Sequence, residues 1–243
     1  MHLIKLNAIG STNSYLRQLC TQKVLKDFTV VMARHQTDGR GQRGTNWNSQ
    51  KGKNLTCSVY KVIQDVNPDQ SFTISMVTSL AIVRTLQRFN IPKLQVKWPN
   101  DILSEDKKIC GILIENLIKN GRLDASIIGI GVNVNQVIFS KLPKASSLKV
   151  ITGQVYDQDE LLKFVIDDLR SSFEMLFSEG ASSIKTSYEN LIFRKDKPST
   201  FKDTEGNLFP GYIQGVSDYG RLQVLTEDDI LREFDLKEIE LLY

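Results

Sequence analysis

Apolar and polar positions follow two different periods along this chain, and each change of period marks a predicted switch between strand and helix. The opening HLIKLNAI is short and apolar enough for a strand. Ser11, Thr12 and Asn13 then offer three helix N-caps ahead of a segment whose Tyr15, Leu16 and Leu19 share one face. FTVVMA (28–33) is apolar throughout and partly β-branched, as a strand buried on both faces is. Residues 35–54 lose all periodicity, and NLTCSVYK (54–61) restores it as a strand. A long helix is predicted from near Pro68-Asp69 to Phe89, with Phe72, Met76, Leu80, Val83 and Leu86 following its turn.

A run of strands comes next: LQVKW (94–98), a turn at Pro99-Asn100-Asp101, a short Ile-Leu segment, then KICGILIENLIK and its return RLDASIIGIGVNVN. Asn120-Gly121 between the last two is a strong hairpin signal. Asp157 and Glu160 form a capping box before an amphipathic helix carrying Leu161, Leu162, Val165, Ile166, Leu169, Phe173, Leu176 and Phe177. A second helix is predicted over 182–193. Beyond about residue 195 the pattern changes to short alternating strands separated by EGN, SDYG and EDD turns, as in a five-stranded SH3-like barrel. The expected organisation is therefore a domain over 1–195 and a small β domain over 196–243.

The composition narrows the function classes. Lys and Arg total 31 and Asp and Glu 28, so the net charge of +3 gives no global signal for nucleic acid or a membrane surface. No apolar run is long enough to span a bilayer, and the N-terminus lacks the charge and apolar core of a signal peptide. Cys20, Cys57 and Cys110 are scattered and odd in number, which is no disulfide framework, and two histidines without a CxxC argue against structural zinc. A reduced, cytoplasmic chain is expected.

Four segments carry candidate chemistry. Gly39-Arg40-Gly41-Gln42-Arg43-Gly44-Thr45-Asn46-Trp47 satisfies GxGxxG, but TNWNSQKGKN lacks the helix that a dinucleotide fold places there, and no Walker pattern exists. Glycines that admit an anion to the backbone, beside guanidinium groups, suit a carboxylate or phosphate. A solvated basic loop with Trp47 as an anchor explains the same residues. Lys97-Trp98-Pro99-Asn100-Asp101 ends a strand in a fixed turn, which either delivers Asn100 and Asp101 to a site or is a plain Asx turn over a core tryptophan. Lys108 heads an apolar strand, free either to snorkel or to point into a cleft. Strict alternation puts it on one face with Cys110 and Ile112, and Gly111 admits a close ligand. Gly129 and Gly131 interrupt a β-branched run that ends in Asn133 and Asn135, which suits either a ligand or a bulge.

Taken in order, Ser11-Thr12-Asn13, Gln36 with GRGQRGTNW, KWPND, Lys108 before CGILIE, and GIGVNVN resemble the biotin protein ligases, with the β-module similar to that family's terminal domain. The resemblance implies an α+β fold: a mixed central sheet with flanking helices, like a class II aminoacyl-tRNA synthetase core, plus the SH3-like module. It implies two reactions, in which biotin and ATP give biotinyl-5′-AMP and pyrophosphate, and a lysine of a biotin carboxyl carrier domain then takes the biotin and releases AMP. Ser11, Thr12, Asn13 and Gln36 would bind the biotin rings. Arg40, Gly41, Gln42 and Gly111 would border biotin's tail. Gly39, Arg43, Trp47, Asn100 and Asn133 would belong to ATP, and Lys108 with Arg40 would meet the reacting carboxylate and phosphate. Magnesium is expected with ATP, with its protein ligands unassigned. The family's N-terminal helix-turn-helix has no counterpart here, so no DNA binding is expected, nor a membrane. Monomer and homodimer are both open.

Two other readings stay in view. A lipoate–protein ligase shares the core, but its RRxSGGG loop is absent here. A non-enzymatic nucleotide-binding regulatory module would bind nucleotide without biotin-dependent pyrophosphate release. The chain also departs from the common pattern GRGRxGRxW, with Gln42 and Thr45 at arginine positions. If Arg43 supplies the missing charge, Arg43→Ala will speed biotinyl-AMP release by about ten- to a hundredfold and Gln42→Ala will change it little. Adenylate off-rates of the two variants decide this, and the reverse order would move the contact to Gln42.

Overall fold

The computed structural model describes residues 2–64, 66–140 and 142–243, and of Arg43 the backbone only. Strand β1 (His2–Leu6) leads through helix α1 (Thr12–Gln22) to β2 (Thr29–Ala33), which lies parallel to β1. Ser11 caps α1, its hydroxyl accepting from Ser14 N at 3.4 Å. Strand β3 (Leu55–Val62) and helix α2 (Phe72–Arg88) follow, then β4 (Leu94–Lys97), β5 (Asp101–Ser104), β6 (Lys107–Lys119) and β7 (Arg122–Val132). These strands form one seven-stranded mixed sheet in the order β1-β2-β3-β7-β6-β5-β4. Asn120 (φ 51°) and Gly121 (φ 72°) both turn left-handed between β6 and β7, as a two-residue hairpin requires.

The remaining helices are α3 (Leu148–Thr152), α4 (Gln158–Glu179) and α5 (Ala181–Glu189). Asp157 caps α4 through Asp159 N and Glu160 N. Strands β8 (Pro198–Asp203), β9 (Leu208–Val216), β10 (Leu222–Thr226), β11 (Leu231–Phe234) and β12 (Ile239–Leu242) build an antiparallel sheet in the order β11-β10-β9-β8-β12. No helix among the described residues is long and apolar enough to cross a membrane.

Several boundaries differ from the sequence reading, each for a local reason. Pro68–Gln70 forms a separate turn capped by Asn67, so α2 starts only at Phe72. The return strand stops at Val132: Asn133 N still reaches its register partner Ile109 O, but Asn135 N turns away to Lys53 O. The helix expected to reach Phe193 ends at Glu189, since residues 191–193 run beside β4, with Val96 N donating to Leu191 O and Phe193 N to Val96 O. Helix α3 had no signal strong enough to predict it.

The large sheet has unequal faces. One carries Val30, Cys57, Val59, Ile112 and Ile130 into a core with Ile74, Val77, Leu161, Val165 and Phe173 of α2 and α4. Phe201, Ile213, Val216, Leu222 and Val224 of the second sheet belong to the same continuous cluster. Trp98 Nε1, just past β4, donates to Gly220 O at 2.9 Å and Val216 N to Glu189 Oε1 of α5 at 3.0 Å, which tie the second sheet to the end of β4 and to α5. The other face meets only α1, through Leu16, Leu19, Val31 and Ile127. Leu16 is completely buried and anchors the helix whose first turn carries Thr12 and Asn13. Leu16→Ala should cost about 3 kcal/mol of stability, read as a lower urea midpoint at unchanged slope. A loss below about 1 kcal/mol would mean that α1 is loosely seated.

Candidate active site

The part of this face that α1 leaves uncovered forms a cleft of about 700 Å³ between the two sheets. Its floor follows from strand register. Gly111 pairs with Gly131 across β6 and β7, and Leu113 with Gly129, so three of four neighbouring positions carry no side chain. Asp101 on β5 faces Gly111. A bulge then intervenes: Ile102 pairs with Cys110 but Leu103 with Lys108, leaving Ile109 unpaired. The extra residue reverses the alternation expected for this strand. Lys108 therefore shares the cleft face with Asp101 and Gly111, while Cys110 and Ile112 enter the core. Lys108 Nζ lies 2.7 Å from Asp101 Oδ1.

One end of the cleft is a hydrogen-bonding cage. Gln36 Oε1 accepts from Thr12 N (2.8 Å) and Thr12 Oγ1 (2.9 Å). Ser58 Oγ, fully buried on β3, stands 2.7 Å from Thr12 Oγ1 and 2.5 Å from Asn13 Oδ1. Asn13 Nδ2 donates to Glu115 Oε2 at 2.9 Å, and Arg40 Nη2 donates to both oxygens of Glu115 at 3.0 and 3.2 Å. Gly129 makes room for this: a Cβ there would collide with the Asn13 amide.

Within the unperiodic stretch, residues 39–47 form a small hairpin. Trp47 N donates to Gly39 O at 2.8 Å and Gly41 N to Thr45 O at 2.6 Å, around a single turn at Gln42–Gly44. The hairpin brings the Trp47 indole against the glycine floor, where a Cβ on Gly131 would come within 2.6 Å of the ring. Trp47 Nε1 is buried and has no hydrogen-bond partner among the described residues. Lys108 Nζ lies 5.8 Å from the centre of the same ring.

The opposite end is charged. Lys97 lines it, and burial pulls its ammonium below the usual lysine range, helped by Lys108 and Lys144 and opposed by Asp101. Asn100 borders the cleft while its Nδ2 donates to Ile112 O at 2.7 Å. Lys202, Asp203, Lys237 and Glu240 close the wall from the second sheet. Cys57 also touches the cleft, but burial pushes its thiol up to about 12, so it is no nucleophile.

Of the residues singled out from sequence, Ser11, Thr12, Asn13, Gln36, Arg40, Gly41, Gln42, Trp47, Asn100, Lys108 and Gly111 all line this one cleft. Gly39 and Asn133 do not. Gly39 closes the hairpin, and Asn133 is buried with Nδ2 donating to Ser146 O at 3.0 Å. The side chain of Arg43 lies outside the described residues.

The profile of the biotin/lipoate A/B protein ligase family matches residues 6–133, from the end of β1 through β7. The chain belongs to this family. Within it, the bifunctional ligase/repressor BirA of Escherichia coli is 29% identical over 238 residues, covering 97% of this chain and 73% of that protein. The biotin–[acetyl-CoA-carboxylase] ligase of Mycobacterium tuberculosis is 28% identical over 165 residues, covering 67% of this chain and 60% of that one. A solved biotin protein ligase from Aquifex aeolicus, in complex with biotin and ATP, superposes with a TM-score of 0.80 at 28% identity, covering 99% of this chain and 98% of its own. The family match ends where the second sheet has yet to begin, so Lys202, Asp203 and Glu240 had no motif to announce them. Ser58 and Glu115 also escaped sequence reading. Their only signal is a polar residue on the face of a strand whose partners turn out to be glycines or α1.

If the glycine floor exists to seat Trp47, then Gly131→Ala will displace the indole with little loss of stability. In a Trp98→Phe background, which leaves Trp47 as the sole tryptophan, this should red-shift the emission maximum. An unchanged spectrum would show that the ring does not rest on Gly131.

Proposed function

We propose that this chain is a biotin protein ligase that works in two steps within the one cleft. Biotin's carboxylate attacks the α-phosphorus of ATP, giving biotinyl-5′-AMP and releasing pyrophosphate. The ε-amine of a lysine on a biotin carboxyl carrier domain then attacks the acyl carbon of the mixed anhydride, giving an amide and releasing AMP. The supporting observation is the layout of the cleft: a hydrogen-bonding cage of Thr12, Asn13, Gln36 and Ser58 bordered by the Arg40–Glu115 pair at one end, Lys97 and Lys108 with Asp101 at the other, and a floor of glycines between them. That order fits a small neutral ring system joined by a tail to a carboxylate that must meet a polyphosphate.

In this reading Thr12, Asn13 and Gln36, oriented by Ser58 and Glu115, hold the ureido and ring groups of biotin, and Ser11 borders them. Gly111 and Gly131 let the tail lie against the sheet under Trp47, with Gly41 and Gln42 at its edge. Arg40 and Lys108 offset the repulsion between carboxylate and phosphate and stabilise charge growing on the phosphoryl oxygens. Asp101 holds the Lys108 ammonium on the cleft face. Asn100 and Lys97 stand on the nucleotide side. No side-chain nucleophile is needed, since the carboxylate and the carrier's lysine supply both attacks.

Among the described residues no group of three His, Cys, Asp or Glu could hold a metal ion. Magnesium brought by ATP would be held mainly by phosphate oxygens and water and would offset phosphate charge. The segment over 1–195 would carry the chemistry and the module over 196–243 would wall the nucleotide end. The place of action is the cytoplasm, where ATP and carrier proteins are found, and DNA and membranes are not partners.

The deciding experiment supplies ATP with biotin or with lipoate and follows pyrophosphate release and labelling of a carrier domain. Release and labelling with biotin alone support the proposal, and lipoate-dependent release would transfer the chain to the other branch of its family. Lys108→Ala is expected to slow biotin-dependent pyrophosphate exchange by about a hundredfold or more. Its melting temperature should stay close to the parent's, because the lysine heads its strand. Parent-level exchange in that variant would remove Lys108 from the chemistry.

A further inference from the structure

Glu115 stands on the cleft face of β6, two residues beyond Leu113, with its side chain only 18% exposed. Its carboxylate gathers donors from two separate parts of the chain. Oε2 accepts from Asn13 Nδ2 on the first turn of α1, and both oxygens accept from Arg40 Nη2 on the glycine-rich hairpin. Asn13 is held on its other atoms as well. Nδ2 also donates to Leu113 O at 3.3 Å, and Oδ1 receives the Ser58 hydroxyl. Glu115 is thus bonded both to the cage around Thr12 and Asn13 and to the loop that carries Trp47.

We infer that Glu115 is a positioning residue that sets the Asn13 amide and latches Arg40, so that the hairpin lies over the cleft before substrate arrives. Three N–H bonds converge on this group, and a carboxylate is an acceptor at both oxygens. A glutamine can keep its oxygen at the Oε2 position and still receive Asn13. Its NH2 would then face the Arg40 guanidinium, donor against donor. Arg40 Nη2 keeps its 3.0 Å contact to the remaining oxygen but loses the 3.2 Å contact and the carboxylate charge, so Glu115→Gln weakens the arm to the hairpin selectively, whereas Glu115→Ala cuts both arms. The roles given to biotin rest on the proposed function, but the latch itself is a property of the free chain.

Hydrogen exchange of the ligand-free protein tests the latch directly. Amides of the hairpin over 39–47 should exchange about tenfold faster in Glu115→Gln, the loss of one charge-assisted contact. Arg40→Ala should reproduce the increase, and adding Glu115→Gln to it should raise exchange no further. With substrate present, Glu115→Gln should speed adenylate release. Glu115→Ala should in addition raise the KM for biotin about tenfold above that of Glu115→Gln, because Asn13 is released too. If Glu115→Ala fails to fold, Asn13→Ala provides the same comparison. Unchanged hairpin exchange in Glu115→Gln, or an increase that persists in full without Arg40, would overturn the latch. So would tighter biotin binding in Glu115→Gln, which would make the pair a competitor of substrate. Because the exchange measurement needs no ligand, an enzyme that preferred lipoate would still display the latch.

Discussion

A seven-stranded sheet buries its apolar surface only if both faces are covered, and here the covering is unequal. Helices α2 and α4 pack against one face, whereas α1 is the only helix on the other among the described residues and covers part of it. What remains beside α1 is a stretch of sheet that would be an exposed apolar patch if it carried ordinary strand residues. The chain places Gly111, Gly129 and Gly131 there and lays a single indole across them. The cleft is therefore as wide as it is because side chains were omitted from its floor. Everything else in the site is arranged around that omission: the hairpin that carries Trp47, the amide of Asn13 above Gly129, and the lysine that a bulge turns inward.

Charge is handled in pairs. Arg40 meets Glu115 from a loop distant in sequence, and Lys108 meets Asp101 across the neighbouring strands β5 and β6. A cation in a half-dry cleft costs solvation energy, and a nearby carboxylate offsets part of that cost while fixing where the cation points. Lys97 is the counterexample. Its neighbours include two further lysines, and burial pulls its proton affinity down despite Asp101 nearby. Lys97 and Lys108 thus meet at the end of the cleft away from the Thr12–Asn13–Gln36 cage. A molecule with a polar ring at one end and a carboxylate at the other matches these two ends in one orientation.

The sequence and the structure agree most where periodicity is strong. The strands, the long helices, the left-handed Asn120-Gly121 turn and the Asp157 cap could all be read from local rules, since each is decided by residues within a few positions. Eleven of the fourteen residues given a site role by the resemblance line the cleft, from the N-terminal end of α1, Gln36, the glycine-rich hairpin, the turn after β4 and strand β6. The misreadings share a cause. Lys108 was assigned the face of Cys110 because alternation has no way to express a bulge, which only the pairing with β5 creates. Asn133 looked free to meet a ligand, yet a later loop claims its amide through Ser146 O.

The pattern of the chain by itself determined the inventory: which segments are strands, which helices face a core, that glycines and cations cluster in a loop and at strand ends, and to which family that order belongs. Tertiary structure alone decided which of those groups meet. Glu115 is 75 residues from Arg40 and 102 from Asn13, and neither separation leaves any trace in local sequence. The wall formed by Lys202 and Glu240 exists only because the second sheet shares a continuous apolar core with the first. The physical reason is the range of the forces. Backbone preferences and hydrophobic period act over neighbours, while a carboxylate selects its partners by position in space, and position is set only once the faces of the sheet have been covered.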